Sequence, residues 1–324
     1  MLTIGIDIGG TKIAGALVTA DGTPVRQTKI PTPASDPRAL EDAIVDTVAS
    51  LMEGTSSSGE VLAVGIAAAG FIDATASRVY YAPNIAWRNE PLRERIEARI
   101  PYPVVIENDA NAAGWAEYRF GAGRMHAHMT MLTIGTGVGG AVVVDGQLFR
   151  GGFGVGAELG HILVEPNGEL CGCGQRGCIE QYGSGRALLR FANELAEDEQ
   201  LGAGLRAARG ADGRIDSDSL KRLLSEGESG AMSALTTLGE WIGRACAILG
   251  AVLDPNIFVI GGGVALAGEA LLKPIRESYI QHMPGRGFHP EAEFAVAQML
   301  NDAGVIGAAD LARQHYEKLH SSGR

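Results

Sequence analysis

The sequence lacks any run of lysine and arginine, and its 27 basic residues are outnumbered by 38 acidic ones. A net charge of −11 leaves no basic footprint for a phosphate backbone, so nucleic acid is not an expected partner. Apolar runs of bilayer length are also missing, and no membrane-spanning helix is predicted. The first residues carry neither a basic segment nor an apolar targeting stretch, so a cytoplasmic location is expected.

Cysteine is scarce as well, with four in the whole chain. Three of them, Cys171, Cys173 and Cys178, cluster in a glycine-rich segment, and His161 precedes them. One imidazole and three thiolates form a tetrahedral ligand set that structural zinc prefers. Three clustered cysteines cannot all pair with one another as disulfides, and Cys246 lies far away in an apolar helical stretch. The segment therefore predicts a zinc site, with Cys246 as core packing.

Length and repetition indicate two domains. With 324 residues and 46% hydrophobic content, the chain is long enough for two ordinary cores. The tetrapeptide LTIG at residues 2–5 recurs at residues 132–135, and each copy precedes a glycine-rich turn and a returning strand. This repetition predicts an internal duplication, with chance similarity between glycine-rich hairpins as the alternative. A serine-rich loop is expected at residues 54–59.

Three glycine-rich turns follow predicted strands. Residues 7–12 offer backbone amides, a hydroxyl and an ammonium group, which suits anionic oxygens, although an ordinary hairpin is the alternative. Residues 135–140 contain G-x-G-x-x-G, but a strand is predicted where a dinucleotide fingerprint needs a helix, so a phosphate-binding turn is the better interpretation. The candidate nucleotide-binding residues in the three turns are Asp7, Gly9, Gly10, Thr11, Lys12, Thr136, Gly137, Gly261, Gly262 and Gly263.

The segment Glu107-Asn108-Asp109 lies where a predicted strand leads into a helix at residues 110–117. Phosphoryl transfer to a hydroxyl needs a carboxylate that accepts the proton as the oxygen attacks. Asp109 is the candidate for that base. A helix-capping aspartate is the alternative, and the two roles compete because a capping carboxylate uses its oxygens.

These motifs resemble the ROK family (repressors, open reading frames, sugar kinases). The resemblance rests on ELGH at residues 158–161, CGCGQRGCIE at residues 171–180 and the Asn-Asp-x-Asn-Ala pattern at residues 108–112. The resemblance extends over residues 5–263, and the rest of the chain is similar to the bacterial glucokinase branch of the family. The expected activity is therefore ATP-dependent phosphorylation of a hexose, with glucose modified at its 6-hydroxyl.

The resemblance also implies an α/β fold of the two-domain actin-like ATPase type (hexokinase/ribonuclease H-like), with a cleft between the domains. The smaller first domain would span residues 1–109 and be completed by a C-terminal helix at residues 302–318. The larger second domain would span residues 110–301 and carry the zinc loop.

Individual roles follow from the same resemblance. Asp109 would be the general base, Asp7 would orient the Mg²⁺ of Mg-ATP through water, and Zn²⁺ would order the sugar-binding loop. The expected cofactors are thus ATP, Mg²⁺ and Zn²⁺. Trp87 would be either an apolar wall beside the sugar or a core residue. The implied sugar contacts are Gly70, Asn84, Asn108, Asp109, Glu158, His161 and Glu180.

Several alternatives stay open. Among enzymes they are an N-acetylmannosamine or N-acetylglucosamine kinase and a polyphosphate-using glucomannokinase. A sugar-responsive ROK repressor is disfavoured, because it needs a DNA-binding helix-turn-helix ahead of a core that here starts at residue 2. Family members are commonly dimers or tetramers, so a homo-oligomer is expected.

Overall fold

A computed structural model describes residues 1–53 and 61–321, and the loop predicted at residues 54–59 lies outside this part. The chain forms two compact units. The first comprises Met1–Met125, Ala141–Ala157 and Gln298–Arg324, and the second comprises His126–Gly140 and Glu158–Ala297. This division places the helix that begins at Asp109 in the first unit. The domain boundary expected at residue 109 stays a prediction.

Strands and α-helices occur in both units. The strands are β1 (Leu2–Ile8), β2 (Lys12–Thr19), β3 (Pro24–Pro31), β4 (Val61–Ala68), β5 (Phe71–Ile72), β6 (Val79–Tyr81), β7 (Arg88–Glu90), β8 (Val104–Asn108), β9 (Met129–Ile134), β10 (Val138–Val144), β11 (Gln147–Leu148), β12 (Ile257–Gly261) and β13 (Glu293–Val296). The α-helices are α1 (Pro37–Met52), α2 (Leu92–Glu97), α3 (Asp109–Phe120), α4 (Glu180–Gly183), α5 (Gly185–Leu195), α6 (Gly202–Ala207), α7 (Ser217–Ser225), α8 (Ser229–Leu253), α9 (Glu269–His282) and α10 (Ala303–Ser321). Short 3₁₀ helices span Leu159–His161, Gly263–Ala267 and Leu300–Asp302.

The first five-stranded sheet has the order β3-β2-β1-β4-β8. β1 and β2 form the predicted antiparallel hairpin, with Ile8 opposite Ile13, while β1, β4 and β8 run parallel. Asp7 lies opposite Ala67, which in turn lies opposite Glu107. Because the carboxyl ends of parallel strands share one edge of a sheet, the residues that follow β1, β4 and β8 meet at that edge.

The second five-stranded sheet has the equivalent order, β11-β10-β9-β12-β13. β9, β12 and β13 run parallel, and Thr133 lies opposite Gly261, so the turns at residues 135–137 and 261–263 share one edge. A strand, β10, begins at Val138 directly after the first of these turns. The helix that a dinucleotide fingerprint needs is therefore not there, as predicted. The matching strand orders support the internal duplication.

One face of the first sheet is covered by an apolar cluster. Leu40, Ile44 and Leu51 of α1 are fully buried in it, at the helical spacing that the sequence shows. Asp36 caps this helix by accepting hydrogen bonds from the backbone N–H groups of the second and third residues after it. Trp87 is 0% exposed within the same cluster, so it is a core residue and not a wall that faces a sugar.

The other face of the first sheet is covered by α10, and glycine permits the close approach. A Cβ atom on Gly5 of β1 would lie 1.9 Å from the carbonyl oxygen of Val305. A Cβ atom on Gly65 of β4 would lie 1.9 Å from the carbonyl oxygen of Ala308. Both oxygens belong to the helix backbone, so neither can move without displacing α10.

Gly65→Ala is therefore expected to destabilise the protein by about 1 to 3 kcal/mol, the usual cost of overpacking a core. The added methyl group must push α10 away from β4, because the clash is with backbone atoms. Urea unfolding measures the effect. Gly152→Ala is the control, since a Cβ atom there would meet nothing within 4 Å. Equal stabilities of the two variants would contradict this account of the packing.

One helix is shorter, and one apolar helix position is more exposed, than the sequence pattern indicates. Leu92, Ile96 and Ile100 share one helical face and predict a helix over residues 91–100, but the helix is only Leu92–Glu97, and its cap, Pro91, makes no side-chain hydrogen bond. Val252 continues the apolar phase of α8 but is 76% exposed, because the helix ends one residue later and nothing described covers its last turn. None of the helices within residues 1–53 and 61–321 combines the length and the apolar character needed to cross a membrane.

Candidate functional site

Asn108 ends β8 and caps α3. Its Oδ1 accepts a hydrogen bond from the backbone N–H of Asn111 at 3.0 Å, and its Nδ2 donates to the carbonyl oxygen of Gly70 at 3.1 Å. The capping residue is thus an asparagine, and the capping role considered for Asp109 is wrong. The bond to Gly70 also brings together two of the residues expected to contact a sugar.

Asp109 is the first residue of α3, beside this cap. Its Oδ1 accepts a hydrogen bond from the backbone N–H of Ala110 at 2.9 Å. Burial raises the pKa of the Asp109 carboxyl, and the backbone hydrogen bond opposes part of that rise. A carboxylate with a raised pKa is a stronger proton acceptor near neutral pH, which suits a general base.

Asp7 lies near the end of β1, at the same edge of the sheet. Burial and then the negative charge of Asp109 raise the pKa of Asp7 to about 6, while the nearby ammonium group of Lys12 lowers it. The turn that follows is closed by the backbone N–H of Gly9, which donates to the carbonyl oxygen of Lys12 at 3.0 Å. Two carboxylates, a glycine turn and an ammonium group therefore lie close together in the first unit.

Asp7→Asn is expected to stabilise the folded protein above pH 6. The ordinary pKa of this carboxyl is 3.8, and its pKa in the folded protein is about 6, so ionising it costs the folded state roughly 3 kcal/mol. The cost is absent below pH 3.8, where the group is protonated in both states, and it is complete above pH 6. Urea unfolding should show a larger gain in stability at about pH 8 than at about pH 5.

Asp46→Asn is the control for this prediction, because Asp46 is exposed on α1. It should change stability little at either pH. An equal gain for Asp7→Asn at both pH values would contradict the burial argument.

The structure gathers the predicted residues of the first unit at one sheet edge. Asn84 belongs with them, because a Cβ atom on Gly10 would be in ordinary contact with the Cβ atom of Asn84, at 3.5 Å. The group comprises Asp7, Gly9, Gly10, Thr11, Lys12, Gly70, Asn84, Asn108 and Asp109.

The second unit contains the predicted metal cluster. The ligand atoms of His161, Cys171, Cys173 and Cys178 all lie within 4.8 Å of one another. Nδ1 of His161 is 3.6 Å from Sγ of Cys171, and Sγ of Cys173 is 3.6 Å from Sγ of Cys178. Sulfurs bound tetrahedrally to one zinc ion at about 2.3 Å lie about 3.8 Å apart, so these side chains fit that ion. Four protein ligands leave no open coordination position, which is typical of a structural site.

The thiols of the cluster differ in acidity. Burial and the neighbouring thiols raise the pKa of Cys178 to about 12. A hydrogen bond from the backbone N–H of Gln175 lowers the pKa of Cys173, which is exposed. Thiolates and not thiols bind zinc, so metal binding at this cluster must release protons.

Glu180 follows the cluster as the first residue of α4. Its Oε2 accepts a hydrogen bond from the backbone N–H of Val138 at 3.2 Å, and its Oε1 accepts one from Nη2 of Arg186 at 3.3 Å. Arg186 also donates from Nε to the carbonyl oxygen of Thr136 at 2.9 Å. Glycine is needed at position 137, because a Cβ atom there would lie 2.3 Å from Oε2 of Glu180. Sequence reasoning missed Arg186, because no local motif marks its contact with the turn.

Glu158 precedes a 3₁₀ helix and His161 is its last residue, and the backbone N–H of His161 donates to the carbonyl oxygen of Glu158 at 3.1 Å. The turn at residues 135–137 contacts the start of α5, where the N–H of Gly185 donates to the carbonyl oxygen of Gly135 at 2.8 Å. The predicted residues of the second unit are Thr136, Gly137, Glu158, His161, Cys171, Cys173, Cys178, Glu180, Gly261, Gly262 and Gly263.

The sequence model of the ROK family matches residues 3–315. The chain belongs to the ROK family. This ROK protein is 46% identical over 316 residues to the glucokinase of Streptomyces coelicolor, with 97% of this chain and 98% of the relative covered. It is 34% identical over 315 residues to the N-acetylmannosamine kinase of Shigella boydii, with 97% and 99% covered.

A solved structure resembles this ROK protein closely as well. It is the crystal structure of a ROK family glucokinase from Streptomyces griseus in complex with glucose and AMPPNP, with a TM-score of 0.83 and 45% sequence identity. The match covers 97% of this chain and 100% of that chain. The likeness confirms the predicted α/β fold of the two-domain actin-like ATPase type. The roles of individual residues stay predictions, because overall identity does not report which side chains touch a ligand.

Proposed function

We propose that the protein is an ATP-dependent hexose kinase that phosphorylates glucose at its 6-hydroxyl, a glucokinase. The observation that carries the proposal is the 46% identity to the Streptomyces coelicolor glucokinase over 97% of the chain. The similar Streptomyces griseus structure holds glucose and AMPPNP, an ATP analogue, which supports the same pair of substrates here.

Asp109 is the proposed general base. It would accept the proton of the 6-hydroxyl as the oxygen attacks the terminal phosphorus of ATP. Oδ1 already accepts the N–H of Ala110, so Oδ2 is the oxygen proposed to receive the proton. Asn108 cannot share this task, because a neutral amide does not take up a proton near neutral pH. Its Oδ1 caps α3 and one Nδ2 hydrogen is bonded to Gly70, so its second Nδ2 hydrogen is the group proposed to hold the sugar beside the base.

The glycine turns are the proposed contacts for ATP. In the first unit, the backbone N–H groups at residues 9–11 and the ammonium group of Lys12 would hold phosphate oxygens. In the second unit, Thr136 and Gly137 would contact phosphate, and residues 261–263 would contact the adenosine side. Mg²⁺, when bound, balances the negative charge of the triphosphate, and Asp7 would orient it through water.

Sugar hydroxyls are the proposed partners of the remaining polar groups. Each hydroxyl that leaves water needs a replacement donor or acceptor, and a missing partner costs about 1 to 3 kcal/mol. The proposed contacts are Gly70, Asn84, Asn108 and Asp109 in the first unit and Glu158, His161 and Glu180 in the second. His161, Cys171, Cys173 and Cys178 would hold Zn²⁺, which orders the loop when bound.

A coupled assay with ATP and a panel of sugars tests the proposal. The panel contains glucose, mannose, fructose, N-acetylglucosamine and N-acetylmannosamine, and polyphosphate replaces ATP in a parallel series. We expect the largest kcat/KM for glucose with ATP. A larger value for N-acetylmannosamine would favour the second candidate, which the 34% identity to the Shigella boydii enzyme supports.

Phosphorylation of none of these sugars would overturn the proposal and favour a sugar-responsive regulator. A homo-oligomer, dimer or tetramer, and a cytoplasmic location stay predictions. Light scattering on the purified protein measures its oligomeric state directly.

A further inference from the structure

Glu107 is a buried carboxylate that the proposed reaction does not use, although it directly precedes Asn108. It is 2% exposed. Its Oε1 accepts hydrogen bonds from the backbone N–H of Asn108 at 3.0 Å and from Nδ2 of Asn111 at 3.1 Å. Its Oε2 accepts a hydrogen bond from Nε of Arg150 at 2.6 Å. Both oxygens are thus occupied, and Glu107 holds the end of β8 and the first turn of α3 at two points.

Glu107 forms an ion pair with Arg150. Among residues 1–53 and 61–321, Arg150 is the cation paired with this carboxylate. Burying a carboxylate is costly unless a paired cation and hydrogen bonds replace its water. Removing the cation would leave an uncompensated buried charge two residues from Asp109. The Glu107 side chain would then no longer be held from its Oε2 side, and its bonds to Asn108 and Asn111 would change.

Arg150 also begins a glycine-rich loop, residues 150–156. Its carbonyl oxygen accepts the backbone N–H of Gly156 at 2.9 Å, so the two ends of the loop meet at Arg150. Gly154 has a φ of +89° and packs so closely that a Cβ atom would lie 2.4 Å from backbone atoms of Asp73 and Ala74. The loop is therefore held to β8 at Glu107 and to the turn after β5 at Asp73 and Ala74. Asn108 of β8 is in turn bonded to Gly70, directly before β5.

We propose that Arg150 is a positioning residue for phosphoryl transfer, acting through Glu107 to hold Asn108 and the first turn of α3, where Asp109 lies. The inference rests on the proposed function, because it takes Asp109 as the base. Misplacing a reacting group by about 1 Å can reduce turnover by about 10²-fold, so a small rotation of this turn is enough to matter.

The test compares Arg150→Gln with Arg150→Lys and with a matched control. We expect Arg150→Gln to lower kcat by about tenfold or more, while KM for ATP stays within about twofold of the wild-type value. Arg150→Lys keeps the positive charge and should regain much of the lost turnover. The control is Arg95→Gln, which removes a cation from two largely buried partners, Glu41 at 2.9 Å and Glu90 at 2.8 Å, neither of which belongs to β8 or α3. It should lower the melting temperature and leave kcat unchanged.

A double-variant comparison keeps the inference falsifiable if Arg150→Gln does not fold. The double variant Glu107→Gln/Arg150→Gln buries no unpaired charge. Because Arg150 acts through Glu107, the kcat of this double variant should equal that of Glu107→Gln alone to within about twofold. A further tenfold loss in the double variant would mean that Arg150 acts by another route and would overturn the inference.

Two other outcomes separate the inference from the proposed function. If the melting temperature of Arg150→Gln falls as that of Arg95→Gln does, while its kcat stays at the wild-type value, Arg150 is only structural and the inference alone fails. If the wild-type protein phosphorylates no sugar, the proposed function fails and the inference fails with it.

Discussion

Replacing Asp109 with asparagine is expected to lower turnover by about 10² to 10⁴, the usual contribution of a positioned general base, and to change glucose affinity only modestly. The substitution keeps the size and shape of the side chain and removes the proton acceptor. Folding should survive, since α3 is capped by Asn108. Because burial raises the pKa of the Asp109 carboxyl, ionising it at neutral pH costs the folded state, and a neutral asparagine should keep or raise the melting temperature.

The measurements are kcat, KM for glucose and the melting temperature, beside the control Asp218→Asn. Asp218 also lies in a first helical turn, as the second residue of α7 after the cap Asp216, and its side chain is 94% exposed. The control should retain wild-type turnover. Turnover of Asp109→Asn near the wild-type value would remove Asp109 from the mechanism. Lost glucose affinity with turnover preserved at saturation would assign Asp109 to sugar binding alone.

Cys173→Ala is expected to remove zinc and weaken glucose binding together. Removing a residue that hydrogen-bonds a metal ligand typically lowers metal affinity by roughly 10- to 100-fold. Removing the ligand itself should lower it further. Residues 158–180 are then no longer tied to one ion. Glu180 lies two residues after the ligand Cys178, so its bond to the N–H of Val138 should loosen and KM for glucose should rise.

Elemental analysis of the purified protein, together with KM for glucose and the melting temperature, measures this effect. We expect one zinc ion per wild-type chain, because one set of four ligands is present in the described part of the chain. Cys246→Ala is the matched control, since Cys246 is fully buried in α8 and outside the cluster. It should lower stability and keep the metal. Zinc-free wild-type protein, or full activity after chelation, would refute the zinc assignment.

The features that could be predicted from the sequence are those whose partners are close in the chain. The proposed zinc ligands lie within one short segment, and the 4.8 Å grouping of their donor atoms is compatible with the expected set. The hairpin of β1 and β2 and the cap at Asp36 were also predictable, because turn and capping residues act on backbone groups a few positions away. Cys246 was correctly assigned to the core because it lies in an apolar helical pattern.

Only the tertiary structure decided which groups surround the proposed base. Asn108 and not Asp109 caps α3, and the choice depends on backbone angles that the two adjacent side chains do not reveal. Glu107 and Arg150 are 43 residues apart in the chain, and no local motif pairs them.

By itself, therefore, the sequence determined the candidate metal ligands, the glycine turns and the family of this protein, because short-range geometry and residue type are enough for these. Burial, charge pairing and pKa depend on which distant segments pack together. The strand order that places Asp7 opposite Ala67 and Ala67 opposite Glu107 brings the end of β8, and with it Asp109, near Asp7 in a shared, desolvated environment. That environment, which gives Asp109 its raised pKa, is a property of the folded chain alone.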